Sequence, residues 1–279
     1  MVESKNQWKA WVYLSPALFL LLIFTVWPIV NTLRMAFLNE YGTLSEAGGA
    51  SFTFGIQNFI SVLKYKRFLL CLGNTMLLTV LTVPISTLLA LIISVCLNSI
   101  KKLGRLLQTI YFLPYVTNSI AIGMVFAAMF NIVGNVTSPD LSDPANIIVT
   151  SGIINNIIQF FGGQPINWVN VGSSYVANIA VMVIYIIWNA LPFKILILLG
   201  GLQSVNKQYY DAAKVDGTSR VRTFTRITVP LLSPMIAYVV ITGFIGGFKE
   251  YSSIIGIFGE NRGPVGEPKR LNTLVGFIY

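Results

Sequence analysis

Long runs of apolar residues alternate with short polar segments along the whole chain. A helix rises about 1.5 Å per residue and the hydrocarbon core of a bilayer is about 30 Å thick, so about 20 consecutive apolar residues cross it. Runs of at least that length cover residues 11–30, 69–97, 106–133, 175–200 and about 231–258. Lys249 and Glu250 interrupt the last run. The pattern therefore predicts five membrane-spanning helices.

These runs also contain residues that a solitary membrane anchor does not need. Pro28, Pro84, Pro114 and Pro192 each lie inside one run, and Gly, Asn and Thr accompany them. Neighbouring helices in a bundle re-satisfy the backbone groups that such residues free. We therefore predict an all-α fold, a polytopic membrane helix bundle that forms one domain over residues 1–279.

Composition supports this class and excludes several chemistries. Of the 279 residues, 54% are hydrophobic and 10% are charged, whereas soluble domains carry about 25% charged residues. The chain has no histidine and two cysteines, which excludes His-based catalysis and His or Cys zinc sites. No Lys precedes Ser or Thr, so the sequence has no phosphate-binding P-loop. We predict no catalytic residue, metal or cofactor on this chain, and expect another chain to hydrolyse any ATP.

The basic residues indicate the orientation of the helices. The N-terminus, residues 98–105, Lys194 and the loop after Gly200 carry 11 of the 19 Lys and Arg residues and three acidic residues. The other segments carry 8 basic and 7 acidic residues. Since cytoplasmic loops hold the excess of Lys and Arg, the N-terminus is predicted to be cytoplasmic. Topology thus explains the net charge of +9, and no nucleic-acid partner is expected.

Residues 134–174, between the third and fourth runs, are predicted to form an extracytoplasmic loop. This loop contains no Lys or Arg. Ile153, Ile154, Ile157 and Ile158 recur at helical spacing, which predicts an amphipathic helix. We expect its apolar face to pack against the bundle rather than to contact a ligand.

The polar segment 201–234 has a helical composition. A small apolar face on a first short helix comes from Val205, Tyr209, Ala212 and Ala213. Gly217 ends that helix, because glycine adopts a left-handed conformation at little cost, and Thr218 or Ser219 caps a second one. Such a helix suits docking into the groove of a partner protein. The pattern leaves open an ordinary interfacial helix between two spans.

The same segment carries a spaced motif. Asp211, Ala212 and Ala213 are followed after three residues by Gly217, and nine residues later by Ile-Thr-Val-Pro at 227–230. This spacing resembles the cytoplasmic signature of the inner-membrane permease subunits of binding-protein-dependent ABC importers. That signature reads Glu-Ala-Ala, three residues, Gly, nine residues and Ile-x-Leu-Pro. The two departures, Asp for Glu and Val for Leu, conserve charge and apolarity. The resemblance implies that residues 201–230 form a coupling-helix loop.

Further segments resemble the carbohydrate branch of that family. They are residues 112–114 (Phe-Leu-Pro), 167–168 (Asn-Trp), 191–193 (Leu-Pro-Phe), 200–203 (Gly-Gly-Leu-Gln) and 272–279. The resemblance covers nearly the whole chain from Trp11 onward. It implies a type I permease similar to the larger subunit of maltose-type importers, with an oligosaccharide as the expected cargo. It also implies a sixth span beyond Tyr279 and a place in the plasma (inner) membrane of a bacterium or archaeon.

The resemblance further implies partners and a mechanism. A second homologous permease would share the translocation path, and an extracytoplasmic binding protein would deliver the carbohydrate. Two cytoplasmic ATPase subunits would bind ATP and Mg²⁺, and their closure would push the coupling helices together and open the bundle outward by rigid-body movement. The residues assigned to ATPase coupling are Tyr209, Tyr210, Asp211, Ala212, Ala213, Asp216, Gly217, Ile227 and Pro230.

Polar and aromatic residues at membrane depth are candidates for the substrate path, because burying them there needs a reason. Aromatic faces suit sugar rings, and amides suit hydroxyl groups. The candidates are Asn118, Tyr185, Trp188, Asn189, Lys249, Glu250 and Tyr251. Hydrogen bonding between helices explains Asn and Tyr equally well, and Lys249 and Glu250 could instead mark the outer end of a helix.

Other functions are left open at this stage. A related permease could carry a sugar phosphate, a uronate or a glycerol phosphate. An integral-membrane enzyme would need clustered ionisable groups within the membrane, and the sequence offers only the pair Lys249 and Glu250. A membrane scaffold would leave the spacing from Asp211 to Pro230 unexplained.

Overall fold

A computed structural model of the chain describes residues 7–42, 52–100, 104–136 and 147–279. The chain divides into two compact units, Met1–Leu69 and Leu70–Tyr279. In the first unit, helix α1 (Gln7–Leu21) continues through a π-helical stretch (Leu22–Val26) into α2 (Trp27–Ala36). Together they give a candidate span of 29 residues, Trp8–Ala36.

An aromatic stack and a short helix follow the first span in the first unit. Phe37 stacks on Phe54 with ring centroids 5.3 Å apart, and helix α3 (Gln57–Lys64) follows. The Asn58 amide donates hydrogen bonds to the carbonyls of Ala36 and Leu38. These bonds satisfy carbonyls that the end of α2 leaves without an intrahelical partner.

Two long helices dominate the second unit. Helix α4 (Lys66–Ser99) has 34 residues and α8 (Tyr175–Ser204) has 30, and both are long and apolar enough to cross a membrane. Pro84 and Pro192 lie inside them, as predicted. The buried face of α4 carries a stripe of hydroxyl groups at Thr75, Thr79, Thr82, Ser86, Thr87 and Ser94. Several of these hydroxyls donate to the carbonyl four residues earlier, which satisfies them inside the helix itself.

Two other apolar runs form bent pairs of helices. Helices α5 (Gly104–Val116) and α6 (Ser119–Phe130) meet at 97°, and the helical stretch Arg220–Leu231 meets α11 (Ser233–Phe248) at 70°. The first break lies at Asn118, whose extended backbone ends one helix while its side chain caps the next. The described residues therefore hold three candidate spans, or up to five when each bent pair counts as one span.

The run predicted from about 231 to 258 divides into two helices at Lys249 and Glu250, the pair that interrupts it in the sequence. Helix α11 ends at Phe248 and α12 (Ser252–Phe258) begins after three residues. Helix α12 packs on α6, where a Cβ added to Gly123 would lie 2.6 Å from the Cα of Gly256. The two glycines let the helix backbones approach closely, which is how small residues stabilise helix pairs in membranes.

The loop 134–174 contains more regular structure than the sequence predicts. Strands β1 (Ile132–Val136) and β2 (Ile147–Ser151) pair antiparallel, and residues 137–146 lie outside the described part of the chain. The predicted amphipathic helix is present as α7 (Ile153–Phe160), and Ile154 packs against the core. Asn155 of the same helix is fully buried; its amide oxygen accepts from the Ile166 N–H and its amide nitrogen donates to the Ile166 carbonyl.

Two hydrophobic clusters hold the second unit together. One joins α4, α6, α8 and α12 through Leu78, Phe126, Met182, Tyr185 and Ile254 among others. The other joins α4, α8 and α11 through Ala90, Leu91, Leu198, Leu232 and Val239 among others. Along α4 the first cluster reaches residue 78 and the second begins at residue 90. The polar residues between them, on α4 and on the matching stretch of α8, border a cavity.

Candidate functional site

A cavity of about 350 Å³ lies in the second unit, among α4, the α5–α6 break, α8 and α11. Nine of its sixteen lining residues have polar side chains. Its polar lining residues are Thr82, Ser86, Tyr115, Thr117, Ser119, Asn189, Lys194, Thr242 and Glu250. Its volume is in the range of small-molecule sites, about 300–1,000 Å³, and such sites commonly lie between the helices of bundles.

Lys194 is the most unusual residue of this lining. Its side chain is 4% exposed, and its Nζ donates to Ser86 Oγ at 2.7 Å, to Thr87 Oγ1 at 2.9 Å and to the Val83 carbonyl at 3.2 Å. The hydroxyl groups of Ser86 and Thr87 donate in turn to α4 carbonyls, so their lone pairs are free to accept from the ammonium. All three protons of the ammonium are therefore used by neutral acceptors on one helix.

Lys194 is not one of the cytoplasmic loop charges, contrary to the prediction from the charge count. Lys194 lies inside the 30-residue helix α8, 10 residues before its end, and is buried against α4. It is the only Lys, Arg, Asp or Glu in the apolar run 175–200. That isolation is the signal that was available, because an ionisable residue inside a membrane span is a functional candidate by default.

Helix α11 also borders the cavity, and its glycines approach α4 and Lys194 of α8 closely. A Cβ on Gly243 would lie 3.1 Å from Val83 Cγ1 and 3.2 Å from Lys194 Nζ. A Cβ on Gly247 would lie 2.6 Å from Thr79 Oγ1. Gly246, on the same helix and in the same lining, has no heavy atom within 4 Å of its Cβ position. Glycine at 243 and 247 thus sets how closely α11 approaches the Lys194 cluster.

The aromatic part of the cavity comes from Tyr115 and Phe193. Their rings stack at a centroid distance of 5.6 Å and an interplanar angle of 19°. Both residues line the cavity, as does Asn189 on α8. The site therefore combines a flat apolar surface with an amide and several hydroxyl groups.

Of the residues predicted for the substrate path, Asn189 and Glu250 line this cavity. Glu250 lies in the break between α11 and α12, where its carboxylate accepts from the Ser253 backbone N–H at 3.1 Å. Lys249 is exposed and does not line the cavity. Tyr251 stacks on Tyr279 at 5.4 Å and does not line the cavity either.

The other three predicted path residues have structural partners. The Asn118 side chain accepts from the N–H groups of Ile120 and Ala121 and caps α6. Tyr185 is fully buried, and its hydroxyl donates to the Ser119 carbonyl. Trp188 packs on Phe126 with centroids 5.2 Å apart. Asn118 and Tyr185 thus fix the α5–α6 break, which presents Ser119 to the cavity.

The segment predicted to couple to a partner folds as two short helices. Helix α9 (Lys207–Val215) begins at Asn206, whose side chain accepts from Gln208 N–H. It ends at Gly217 with φ +64°, where the Thr218 N–H bonds the Ala213 carbonyl at 2.9 Å. This is the C-terminal arrangement that glycine favours, and the predicted helix end is confirmed.

Ser219 then caps the second short helix, α10 (Arg220–Thr223), by accepting from Arg222 N–H. The helix continues through a π-helical stretch (Phe224–Thr228) into a final turn (Val229–Leu231) before α11. Ile227 is half-buried in this stretch, and Pro230 is exposed. The path from α9 to the cavity wall is therefore helical almost throughout.

Helix α9 has one buried and one exposed side. Ala213 is buried and Tyr210 is half-buried. Tyr209, Asp211, Ala212, Asp216 and Gly217 are exposed. Asp211 pairs with Lys214 at 3.3 Å on this exposed side, so its carboxylate does not cap the helix. These five residues and the exposed Pro230 are six of the nine residues assigned to coupling. They form or border an accessible surface.

The sequence matches a known family over most of the second unit. The profile of the family described as binding-protein-dependent transport system inner membrane component matches residues 83–270. That range holds the whole α9–α10 segment and every residue of the cavity lining except Thr82.

Individual relatives and solved structures extend the match. The chain is 27% identical over 270 residues to the lactose transport system permease protein of Rhizobium radiobacter, covering 96% of this chain and 82% of the relative. It is 30% identical over 273 residues to the arabinooligosaccharides transport system permease protein of Halalkalibacterium halodurans, covering 96% and 76%. A chain of a bacterial ABC transporter involved in the import of the acidic polysaccharide alginate superposes with a TM-score of 0.73 at 20% identity, covering 99% of this chain and 84% of that one.

Proposed function

This chain belongs to the family of binding-protein-dependent transport system inner membrane components, and we propose that it is the permease subunit through which such a system imports a carbohydrate. The family match covers 188 of the 279 residues. Two relatives that match over almost the whole chain are named for the transport of lactose and of arabinooligosaccharides. These names support a sugar, and an oligosaccharide in particular, as the cargo of this chain.

The cavity is the observation that carries the proposal. It brings the stacked rings of Tyr115 and Phe193 together with Asn189 and the hydroxyl of Ser119. Sugar rings pack their C–H faces on aromatic rings, and their hydroxyl groups exchange hydrogen bonds with amides and hydroxyls. A cavity of about 350 Å³ accommodates part of an oligosaccharide at a time. An oligosaccharide would therefore pass the cavity in sections.

Coupling follows from how the chain connects α9 to the cavity walls. Only Val205 and Asn206 separate α9 from α8, which carries Asn189 and Lys194. On its other side, α9 leads through Gly217 and α10 into α11, which carries Gly243. A force on the exposed face of α9 therefore reaches two cavity walls through short, mostly helical links. This is rigid-body transmission, with the ATPase subunits as the source of force.

The remaining parts of the proposal concern the assembly. A second, homologous permease would complete the path, two ATPase subunits would bind and hydrolyse ATP, and an extracytoplasmic binding protein would deliver the sugar. The N-terminus and α9 would be cytoplasmic, since they carry the excess of basic residues. Lys194 lies inside helix α8 and no longer counts as a loop residue. Without it, the predicted cytoplasmic segments still carry 10 basic residues, against 8 on the other side.

The test uses the complete complex, purified through a tag on this chain and reconstituted in proteoliposomes. We expect ATPase subunits to co-purify, and a carbohydrate-loaded binding protein to stimulate ATP hydrolysis and sugar uptake. Phe193→Leu removes a ring from the cavity and should lower uptake at least about tenfold. A tenfold loss corresponds to about 1.4 kcal/mol of lost binding free energy. Tyr238→Leu on the outside of α11 is the matched control. Failure of every carbohydrate in a broad panel to stimulate the complex would refute the proposed cargo.

A further inference from the structure

The hydrogen bonds that Lys194 makes do not by themselves require a charged side chain. Its three hydrogen bonds join α8 to α4, but a neutral donor could make such bonds between membrane helices. Among the residues that the structure describes, no carboxylate lies within 4 Å of its ammonium group. A full positive charge at membrane depth is costly, and it marks a functional site unless it is paired. The neutral oxygens of Ser86, Thr87 and Val83 orient the ammonium without neutralising it.

This unpaired charge borders the cavity. Lys194 is the only basic residue of the lining and Glu250 is the only acidic one. Glu250 is held by a different structure, because its carboxylate accepts from the N–H of Ser253 at the start of α12. The cavity therefore holds one oriented ammonium group on the α8 side and one anchored carboxyl group at the α11–α12 break. The two are not joined in an ion pair.

We propose that Lys194 recognises a carboxylate on the cargo, so that the cavity is adapted to carbohydrates built from or bearing uronic acids. This inference rests on the proposed function, and it names the class of sugar. A carboxylate entering the cavity would compensate the Lys194 charge through space, because all three ammonium protons already bond α4 and the low polarity of the site strengthens Coulomb attraction. A neutral sugar would leave that charge uncompensated.

A single negative charge fits the site better than a phosphate dianion. Phosphate sites in proteins use several donors, such as Arg forks or helix N-termini with multiple backbone N–H groups. The lining offers one ammonium and no Arg, and it also holds Glu250, which repels a second negative charge. A carboxylate placed near Lys194, with the sugar ring on Tyr115 and Phe193, uses the groups that are present. Sugar phosphates are therefore the disfavoured alternative.

The experiment compares matched neutral and acidic oligosaccharides of equal length in the reconstituted complex. Uptake is measured for the wild type, Lys194→Gln, Lys194→Arg and Glu250→Gln, each with the same loaded binding protein, so that the contribution of the binding protein cancels in the ratio to wild type. Gln at 194 removes the charge and keeps two amide N–H donors for Ser86 and Thr87, on a side chain one atom shorter than that of Lys. We expect Lys194→Gln to lower uptake of the acidic sugar about 10- to 100-fold, equivalent to about 1.4–2.8 kcal/mol of lost electrostatic attraction, and uptake of the neutral sugar by less than about twofold.

The two variants that remove a charge, Lys194→Gln and Glu250→Gln, should change the preference for the acidic sugar in opposite directions. Lys194→Arg should keep the preference for the acidic sugar, and Glu250→Gln should raise it, since Gln still accepts from Ser253 N–H while the repulsion is removed. Equal losses for both sugars in Lys194→Gln, or no loss for either, would overturn the inference and leave Lys194 as a link between helices. If Lys194→Gln does not assemble, a fall in acidic-sugar preference in Glu250→Gln overturns it. A wild type that carries neutral sugars alone refutes this inference and keeps the proposed function, whereas one that carries no carbohydrate refutes the proposed function itself.

Discussion

Gly217 ends the exposed helix α9 and provides the sharpest test of the coupling segment. Its φ of +64° lies in the left-handed region, and its own N–H and that of Thr218 close the helix on the carbonyls of Lys214 and Ala213. A Cβ at this position meets no heavy atom within 4 Å. We therefore expect Gly217→Leu to leave the chain folded and to abolish uptake, because its side chain projects from the surface proposed to contact the ATPase.

The sizes of the expected effects distinguish backbone strain at position 217 from the steric effect of a larger side chain. A non-glycine residue in the left-handed region costs about 1–2 kcal/mol, and Ala and Leu share that cost. Asn adopts this conformation more readily than either. Gly217→Ala adds one methyl group, so we expect it to keep most of the uptake. Gly217→Leu should lose more than about tenfold, equivalent to about 1.4 kcal/mol of weakened docking. Gly217→Asn relieves the strain and adds intermediate bulk.

The assay measures ATPase co-purification, thermal stability and uptake for the three variants side by side. Normal uptake in Gly217→Leu would refute the assignment of α9 as the docking helix. Equal losses in Gly217→Ala and Gly217→Leu, with Gly217→Asn spared, would show that the shape of the helix end matters rather than the space in front of it. Loss of thermal stability in Gly217→Leu beyond that in Gly217→Ala would contradict the open surroundings of the Cβ position.

Three further changes test the cavity and its supports. Asn189→Ala should lower uptake several-fold with the complex intact, because it removes an amide from the cavity lining. Gly243→Ala should destabilise the complex by about 1–3 kcal/mol through overpacking against Val83 and Lys194, whereas Gly246→Ala, one turn further along α11, should not. Gly123→Ala should separate α6 from α12 and cost at least as much, because its methyl group meets backbone that cannot move aside.

Each of these has a clear contrary result. Unchanged uptake kinetics in Asn189→Ala would remove the amide from the substrate path. Equal melting temperatures for Gly243→Ala and Gly246→Ala would show that α11 adjusts to the added methyl group. A Gly123→Ala complex as stable as one carrying Gly73→Ala, whose Cβ position has open space around it, would mean that the close crossing of α6 and α12 is not needed for stability.

Local interactions explain why the coupling segment could be predicted. The cap at Ser219 and the turn at Gly217 depend on residues no more than five positions apart, so the sequence contains every partner involved. The two long spans were predictable for a similar reason, since their length and apolarity are continuous. The β1–β2 pair was not predicted, because the pairing joins segments separated by residues 137–146.

The breaks in the helices depend on tertiary structure and were harder to predict. Prolines do not reveal them, because Pro84 and Pro192 lie inside continuous helices while Pro114 lies just before a break. The break at Asn118 is held by Tyr185 of α8, which bonds the Ser119 carbonyl. That contact spans 66 residues, so within the apolar run 106–133 only the local cap of Asn118 on Ile120 and Ala121 marks where it bends.

The position of Lys194 illustrates the same limit, and it also indicates what the sequence contained. A charge count treats every Lys as solvated, and only the register of α4 against α8 shows that Ser86 and Thr87 lie beside this one. Yet both halves of the cluster leave a trace: one lone cation in an apolar run on α8, and a stripe of hydroxyls on α4. In a bilayer the cation needs acceptors, and the apolar phase supplies none. The lone cation therefore indicates polar partners on a neighbouring helix, and because its direct partners carry no negative charge, we expect the cargo to supply one.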